Sequence, residues 1–379
     1  MGPEARRAVG ALAFIHGLVH GNILAIPVFL ALAWSREFHL DPVSQGGLAA
    51  VAYVGFGVSS VPFGRLADRG RAMEILSLCV AGIAAAMAAV SLSETLPALA
   101  VSLAALGVAS GAYHPTGLAF ISRHVPEQGR GMGWHGMGGS LGIAIGPAAT
   151  GALIAVGVPW RSVAALLAVP AIVAFSLLWV RRPAAAASSR TPPDVREALR
   201  SLATPAFLPV LLVYMLAGIS YWGSLTFLPG IVGTGFYVVL LSLGALGQVV
   251  SGHLADRSRP ARTLFAMSVL AAAVLATLAT GVPWILVAGA WGFGFLLFSL
   301  EPLQNTLVTR AVPPESRGLA FGFTFLSVFG IGSGGAVIAG ALLASNQSAA
   351  LFLVLAGCLA LSGLCAWLSE NRRRTRRGG

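Results

Sequence analysis

The chain has 379 residues, of which 56% are hydrophobic and only 10% charged, and its mean hydropathy is +0.83. A soluble protein of this length needs far more charge to cover its surface, so the composition excludes an ordinary soluble enzyme. The net charge is +11 and all 24 basic residues are arginines, but they lie in short polar clusters between apolar runs. This distribution indicates membrane topology rather than nucleic-acid binding.

The apolar runs predict twelve membrane-spanning helices, because each run is long enough to cross a bilayer. The predicted spans cover residues 8–34, 44–65, 73–93, 96–121, 132–157, 162–180, 206–229, 234–254, 263–281, 284–309, 319–344 and 349–368. The first run extends to Trp34, beyond a typical signal-peptide core, so it is interpreted as span one. The three cysteines lie inside apolar runs and predict no disulfide framework and no zinc site.

A long polar segment, residues 181–205, divides the spans into two sets of six and predicts a cytoplasmic linker. The chain then consists of an N-terminal half (1–180), the linker (181–205), a C-terminal half (206–371) and a basic cytoplasmic tail (372–379). With the N-terminus in the cytoplasm, every arginine except Arg36 and Arg161 falls on the cytoplasmic side, as the positive-inside rule expects.

Span one contains His16 and His20, which are four residues apart and therefore lie on one face, with Asn22 half a turn further on. Either histidine alone is equally consistent with a hydrogen-bonded residue of the core and with a residue that lines a cavity. Together they favour a wet cavity. Their spacing is that of a zincin motif, but Gly17 stands where the general-base glutamate belongs.

The loop "GRLADRGR" follows span two, and it predicts a conformational latch. Gly64 permits close helix approach, and Asp68 either caps a neighbouring helix end or pairs with an arginine such as Arg69 or Arg130. The alternative is a plain topological anchor with weak surface ion pairs.

Span four contains "GVASGAYHPTGLAF", in which a histidine and a proline interrupt a run of small and apolar residues. We interpret Tyr113, His114 and the bend at Pro115 as one element of a central cavity. The alternative is a packing kink with a hydrogen-bonded histidine.

Span five has glycines at intervals that remove side-chain bulk from one helix face, and a proline that permits a bend. Ordinary packing of small residues is the alternative. "GGSLG" around Ser140 fits a nucleophile elbow only by sequence, because that motif needs a strand–turn–helix context. The predicted helix-packing motif comprises Gly133, Gly142, Gly146, Pro147 and Gly151.

The two halves repeat each other. "FGRLADRG" matches "SGHLADRS", "VPEQGRG" matches "VPPESRG", and His114-Pro115 matches Glu301-Pro302, all with nearly the same separation. Parallel halves of six spans are typical of a transporter with its substrate path between them. The second copies of the latch contribute Asp256, Arg257 and Arg317.

The repeat has one gap. Pro27 matches Pro229 with a larger separation, so the second half lacks roughly a dozen residues between spans seven and eight. Span seven is therefore predicted to end near Pro229 and to turn through "GIVG" at once.

Glu301 is the only carboxylate predicted to lie deep in the membrane, where a charge costs roughly 2.5–3.5 kcal/mol. It is a candidate proton carrier, and a static hydrogen-bonded acid is the alternative. No arginine lies deep in a span to clamp an anion, although His16, His20 and His114 suit an anion when protonated or a soft metal when neutral. Further pathway residues are Tyr221, Trp222, Gln304 and Asn305.

These motifs resemble those of the major facilitator superfamily. "GRLADRGR" is similar to the loop motif of that superfamily, with one residue missing before the last basic position, and the span-five glycines resemble the motif of proton-driven exporters, with Thr150 in place of a glycine. "HGLVHGNILAIPVFL", "YHPTG" and "GGSLGIAIGP" look most like the fosmidomycin-resistance group. The resemblance implies export driven by inward proton flow and leaves the substrate open.

We therefore expect an all-α membrane protein that is not an enzyme: a proton-coupled exporter of a small organic compound. Uptake, or transport of a metal or inorganic ion, is an alternative within the same fold. A non-transporting sensor is a third, which the duplicated latch disfavours. We expect no catalytic residue, resident metal, cofactor or nucleic acid, because the proton gradient supplies the energy and no nucleotide-binding loop is present. The expected partners are a small-molecule substrate, protons and membrane lipid, and the expected location is the inner membrane of a bacterium, as a monomer with both termini cytoplasmic.

Overall fold

The computed structural model describes residues 1–125, 127–180 and 195–375. Within these ranges, twelve helices are long and apolar enough to cross a membrane, which confirms the predicted spans. The described residues contain no β-strand, so the predicted all-α class is also confirmed. Residues 181–194 of the predicted linker and residues 376–379 of the predicted tail lie outside the described ranges.

Six spans precede the predicted linker. Span one joins helix Pro3–Phe29 to a π-helical segment, Leu30–Trp34, and a short helix, Ser35–Glu37. The others are Pro42–Asp68 (span two), Ala72–Ser91 (three), the pair Leu96–Gly111 and Tyr113–His124 (four), Gln128–Ala155 (five) and Trp160–Val180 (six).

A short helix, Val195–Leu202, occupies the end of the predicted linker, and six further spans follow. They are Leu208–Val232 (span seven), Thr234–Arg257 (eight), Pro260–Thr277 with the 3₁₀ turn Leu278–Thr280 (nine), Pro283–Ala311 (ten) and Ser348–Thr375 (twelve). Span eleven follows the 3₁₀ turn Pro314–Ser316 and consists of Arg317–Phe325, the π-helical Leu326–Ile331 and Gly334–Ala344.

A single glycine joins spans seven and eight. The sequence predicted that span seven ends near Pro229, but the helix continues to Val232. Only Gly233 separates the two helices, and its φ of +90° lies in the left-handed region that favours glycine. The tight turn is therefore confirmed, and it begins later than predicted because the helix tolerates Pro229 in its last turn.

Large apolar side chains cover the outside of the helical bundle. Val101 is 71% exposed, Ile145 60% and Leu270 54%. Such a surface is unfavourable in water but matches the acyl chains of a bilayer, where the backbone polar groups must be satisfied within each helix. The exposed surface thus agrees with the membrane location that the composition predicts.

Glycines bring two pairs of helices into close contact, one pair in each half. A Cβ atom on Gly146 of span five would collide with the backbone of Gly21 in span one. A Cβ atom on Gly335 of span eleven would collide in the same way with Ile219 in span seven. Because membrane helices associate by van der Waals packing, these two seams hold each half together.

The halves meet along spans two and eleven. Gly57 packs on the backbone of Gly330, and Gly64 packs on that of Gly318, so neither site has room for a Cβ atom. Spans five and eight make a second contact between the halves, and the polar side chains described next lie close to these two lines of contact.

Candidate functional site

Span four is interrupted at Ala112, two residues before its histidine. Its first helical segment ends at Gly111, and its second begins at Tyr113. Pro115 has no N–H, so it cannot donate to the carbonyl of Gly111 four residues earlier. The hydroxyl of Ser60 in span two donates to that carbonyl instead, at 3.0 Å.

Four buried histidines from three spans lie in contact at this break. The sequence predicted three of them, His16 and His20 of span one and His114 of span four; the fourth, His135 of span five, was missed. The ring centroid of His16 lies 4.7 Å from that of His20, 4.8 Å from that of His114 and 4.1 Å from that of His135. We call these four residues the histidine cluster.

Hydrogen bonds orient two of the rings. Nδ1 of His16 donates to the backbone carbonyl of His135 at 2.8 Å, which leaves Nε2 of His16 as an acceptor. Nε2 of His20 lies 3.0 Å from that atom and therefore donates to it. Nε2 of His114 and Nε2 of His135 have no hydrogen-bond partner among the described residues.

Tyr113 and Asn22, which were predicted to share the cavity with these histidines, differ in their contacts. Tyr113 stacks on His16 with 5.3 Å between ring centroids, and its hydroxyl donates to the carbonyl of Leu12 at 2.5 Å. Asn22 donates to the carbonyl of Leu18 in its own helix, at 2.9 Å. The structure thus brings Tyr113 to the cluster and turns the amide of Asn22 back onto span one.

A second polar cluster surrounds Glu301 in span ten. Nε2 of Gln248 in span eight donates to its carboxylate at 2.5 Å. Asn305 lies beside the same carboxylate, and the hydroxyl of Tyr214 in span seven donates to Asn305 at 2.8 Å. Gln304 is buried, and its Nε2 has no hydrogen-bond partner in the described part of the chain. Gln248 and Tyr214 were not predicted from the sequence.

The surroundings of Glu301 extend into the N-terminal half. The hydroxyl of Ser140 in span five donates to Oε1 of Gln248 at 2.7 Å. Gln248 therefore hydrogen-bonds at the same time to Glu301 of its own half and to Ser140 of the other half. The sequence motif around Ser140 was set aside as an accidental hydrolase motif, and the structure instead makes Ser140 a hydrogen-bond donor between the halves.

The matching residues His114 and Glu301 lie in separate clusters. The ring of His114 stacks on Phe325 of span eleven, with 4.5 Å between centroids, whereas the carboxylate of Glu301 faces Gln248. Span ten also remains helical through Pro302. The interruption of span four is therefore not repeated in span ten.

Aromatic side chains fill the contact between the halves. Trp222 of span seven is buried and stacks on Tyr53 of span two at 3.8 Å, and Phe329 of span eleven stacks on Phe56 of span two, also at 3.8 Å. Tyr221 packs edge-on against Trp222 at 4.7 Å. Of the three predicted aromatic pathway residues, Tyr113, Tyr221 and Trp222, it is Trp222 that makes the ring contact with the opposite half.

Asp68 connects the halves at the end of span two. Its buried carboxylate accepts the backbone N–H groups of Gly318 and Leu319 at 3.2 and 3.0 Å, in the first turn of span eleven. A helix N-terminus has free N–H groups and a positive dipole end, so it attracts a carboxylate. Gly64, one turn earlier, lets the backbone of Gly318 approach. The contact is the cap on a neighbouring helix that the sequence offered as one alternative.

The arginines of the predicted latch take different positions. Arg69 and Arg130 are exposed, and Arg317 donates to a backbone carbonyl of span ten at 3.4 Å. The side chains of Asp256 and Arg257 lie outside the described residues. The second copy of the latch therefore stays a prediction.

The glycine motif of span five is correct in part. Gly142 packs on the backbone of span one, as does Gly138, which the sequence reading had not included. A Cβ atom on Gly133 would meet nothing within 4 Å, and one on Gly151 would make an ordinary contact at 3.7 Å, so neither is a close-packing position. Pro147 lies inside a continuous helix.

Comparisons with known proteins agree with this architecture. The model of the Major Facilitator Superfamily matches residues 12–334 and 230–379. Multidrug resistance protein MdtG of Citrobacter koseri is 26% identical over 362 residues, which cover 87% of this chain and 86% of that protein. MdtG of Salmonella typhi is 25% identical over 355 residues, with the same coverage.

Solved structures share the fold at low identity. A bacterial homologue of the human lysosomal transporter Spinster, in an inward-facing and unoccupied conformation, has a TM-score of 0.72 at 18% identity and covers 98% of both chains. A POT family transporter in complex with a thioalcohol-conjugated peptide has a TM-score of 0.77 at 12% identity and covers 97% of this chain and 96% of its own.

Proposed function

Because the chain belongs to the Major Facilitator Superfamily and is thus a membrane transporter rather than an enzyme, we propose that it exports a small organic compound in exchange for protons. The exchange takes place by alternating access, in which the two halves move against each other around a central site. The membrane is the inner membrane of a bacterium, and the arginine pattern favours an orientation with both termini in the cytoplasm.

The position of Glu301 is the observation that supports proton coupling. A carboxylate within a span is costly, and such groups mark ion and proton pathways in transporters. Glu301 accepts a hydrogen bond from Gln248, and Gln248 accepts one from Ser140 of the other half. The titratable group is therefore one hydrogen bond away from the contact between the halves.

This arrangement links the charge of Glu301 to the conformation. A charged carboxylate holds the amide of Gln248 about twice as strongly as a neutral acid does. Loss of the proton thus fixes Gln248 in place for Ser140, and protonation loosens it. A proton that loads and leaves with each cycle changes the stability of the contact between spans five and eight, which is what coupling requires.

The substrate is an uncharged or weakly charged organic molecule with aromatic or apolar groups. The stacked pair Tyr53 and Trp222 lies between the halves, and separation of the halves exposes both faces to a ligand. The similarity to relatives named multidrug resistance proteins supports export of an organic compound.

Asp68 stabilises the conformation that the structure shows. Its cap on span eleven closes the end of the molecule that the arginine pattern places in the cytoplasm. Opening toward the cytoplasm, where an exporter loads its substrate, requires that the carboxylate leave the N–H groups of Gly318 and Leu319. The cap therefore favours the state closed to the cytoplasm over the state open to it.

The experiment that tests this proposal measures the direction of proton movement. A susceptibility screen of deletion and overexpression strains first identifies a transported compound. Liposomes that contain the purified protein are then loaded with this compound and a pH indicator, without a pH gradient. Efflux of the compound is expected to acidify the lumen, because protons enter in exchange. Alkalinisation would indicate symport, and an unchanged pH relative to protein-free liposomes would contradict proton coupling.

A further inference from the structure

The histidine cluster is not part of the hydrogen-bonded link that joins Glu301 to Ser140. We propose that His16, His20 and His114 bind one divalent transition-metal ion of the Zn²⁺, Co²⁺ or Ni²⁺ type. One ring nitrogen from each of these residues lies within 4.8 Å of the other two. Imidazole nitrogen suits these metals, whereas Mg²⁺ and Ca²⁺ prefer oxygen ligands, so the donor set selects the class of ion.

The distances between the rings suit a common ion. Two nitrogens that bind one tetrahedral Zn²⁺ lie about 3.3 Å apart, given a Zn–N distance of about 2.0–2.1 Å. Nε2 of His16 and Nε2 of His20 are 3.0 Å apart and share a single proton, which a metal ion replaces with little movement. The ring of His114 stands edge-on to both, with centroids at 4.8 and 5.1 Å.

The surroundings already orient the first ligand. Nδ1–H of His16 donates to the backbone carbonyl of His135, so its Nε2 carries the free lone pair and points toward His20. Metal-binding histidines nearly always donate their second ring N–H to a carbonyl or carboxylate in this way. Span five therefore fixes the tautomer that a metal ligand in span one needs.

A second observation points to a ligand. Nε2 of His114 is buried in the cluster and has no hydrogen-bond partner among the described residues. Burial of a polar group without a partner is unfavourable, and a purely structural histidine satisfies its ring nitrogens with neighbours. Coordination of an ion satisfies this nitrogen and joins span one to the second segment of span four.

The test uses the full-length protein in detergent after removal of any polyhistidine tag, because such a tag binds the same metals. Equilibrium dialysis against Zn²⁺ is expected to give one ion per chain, and Co²⁺ in its place is expected to give the visible absorption of a low-coordinate site. His16→Gln, His20→Gln and His114→Gln should each weaken binding by at least about tenfold. His253→Gln, an exposed histidine in span eight, is the matched control and should bind as the wild type does.

A variant that keeps a ligand guards against loss of the fold. His20→Cys retains a metal ligand and should bind Co²⁺ with an added thiolate charge-transfer band in the near ultraviolet. The proposal is overturned if the wild type binds no Zn²⁺, if the three glutamine variants bind as well as His253→Gln does, or if His20→Cys shows no such band. Each of these measurements records binding without transport, so the result does not depend on proton coupling.

Discussion

Spans four and ten occupy matching places in the two halves, yet span four breaks beside His114 and span ten runs unbroken past Glu301. Both have a proline directly after the titratable residue. In span four, Ser60 of span two satisfies the carbonyl that Pro115 leaves free. Directly after this interruption, His114 lies against the rings of His16 and His20.

In span ten the helix stays regular, so the carboxylate of Glu301 projects toward span eight and reaches Gln248. The two halves therefore share an architecture but differ in chemistry: imidazoles meet in one half, and an acid meets an amide at the contact between the halves. Internal repeats predict positions well, because packing sets them. They predict the partners of a side chain poorly, because a single substitution on a neighbouring helix changes those partners.

The largest effects are expected at the seams, where the halves are alike. Gly146→Leu and Gly335→Leu each insert a large side chain into a contact that has no room for a Cβ atom. Overpacking costs about 1–3 kcal/mol or more, so both variants should lose transport. Transport in proteoliposomes and elution in size-exclusion chromatography measure the two consequences.

Gly133→Leu is the matched control in span five, because nothing lies within 4 Å of its Cβ position. It should transport at the wild-type rate. Normal transport by Gly146→Leu, or a loss in Gly133→Leu equal to that in Gly146→Leu, would show that the seam is placed on the wrong face of span five.

The next effect concerns the hydrogen-bonded link from Glu301 through Gln248 to Ser140. Ser140→Ala removes the hydrogen bond to Gln248 and leaves the bond from Gln248 to Glu301. A hydrogen bond of this kind contributes about 1 kcal/mol, so the rate of gradient-driven transport relative to passive exchange should fall about fivefold. Ser242→Ala, an exposed serine in span eight that bonds only within its own helix, is the control. If the ratio of gradient-driven transport to passive exchange were the same in Ser140→Ala and Ser242→Ala, Ser140 would have no role in coupling.

A smaller effect is expected at the cap between spans two and eleven. Asp68→Asn removes the charge that faces the N-terminus of span eleven and keeps the size of the side chain. Loss of such a charge costs about 0.5–1 kcal/mol, so the state closed to the cytoplasm, through which every export cycle passes, is less populated and turnover should slow several-fold, with normal expression. Asp41→Asn makes the same chemical change at an exposed cap and should leave turnover unchanged. Wild-type turnover by a well-expressed Asp68→Asn protein would show that this contact does not act as a conformational latch.

The smallest effect is expected at the N-terminus of span two, which has a side-chain cap that span eight lacks. The hydroxyl of Ser44, together with its backbone N–H, lowers the pKa of Asp41 below the ordinary value, whereas span eight begins after Gly233 without a side-chain cap. The lowered pKa of Asp41 contributes to the free energy of unfolding. This contribution is fully present at a pH above the ordinary pKa of about 3.9, and it is lost as the pH falls through the lowered pKa. Asp41→Ala should therefore melt slightly earlier than the wild type at neutral pH and equally in acid. A difference that persists in acid would assign the effect to something other than the charged cap.

The sequence predicts much of this fold, because hydropathy and turn residues report directly on the spans. The glycine seam was predicted in part: Gly138, Gly142 and Gly146 recur every four residues and share a face, whereas Gly133 is five residues before the first of them and falls on another face. The motif was matched by spacing alone, without the angular position of each residue around the helix. It therefore included Gly133, which lies on another face.

The partners of the polar side chains could not be predicted. His135 and Gln248 each stand alone in an apolar or glycine-rich run, "GMGWHGMGG" and "LGALGQVV", and this isolation was the available signal. The periodicity of one helix does not show which distant helix each of its faces contacts. Ser140 and Gln248, for example, are more than a hundred residues apart in the chain. The contact of Gln248 with Ser140 depends on how the halves dock, and only the tertiary structure shows it.

The most direct test of the account is uphill transport by Glu301→Gln in proteoliposomes with an imposed pH gradient. Glutamine resembles the protonated acid in size and hydrogen bonding but cannot titrate, so the variant should lose gradient-driven accumulation while it keeps passive exchange of substrate. Glu94→Gln, the same change at an exposed residue between spans three and four, should accumulate substrate as the wild type does. Accumulation at the wild-type rate by Glu301→Gln would show that Glu301 does not carry the coupled proton.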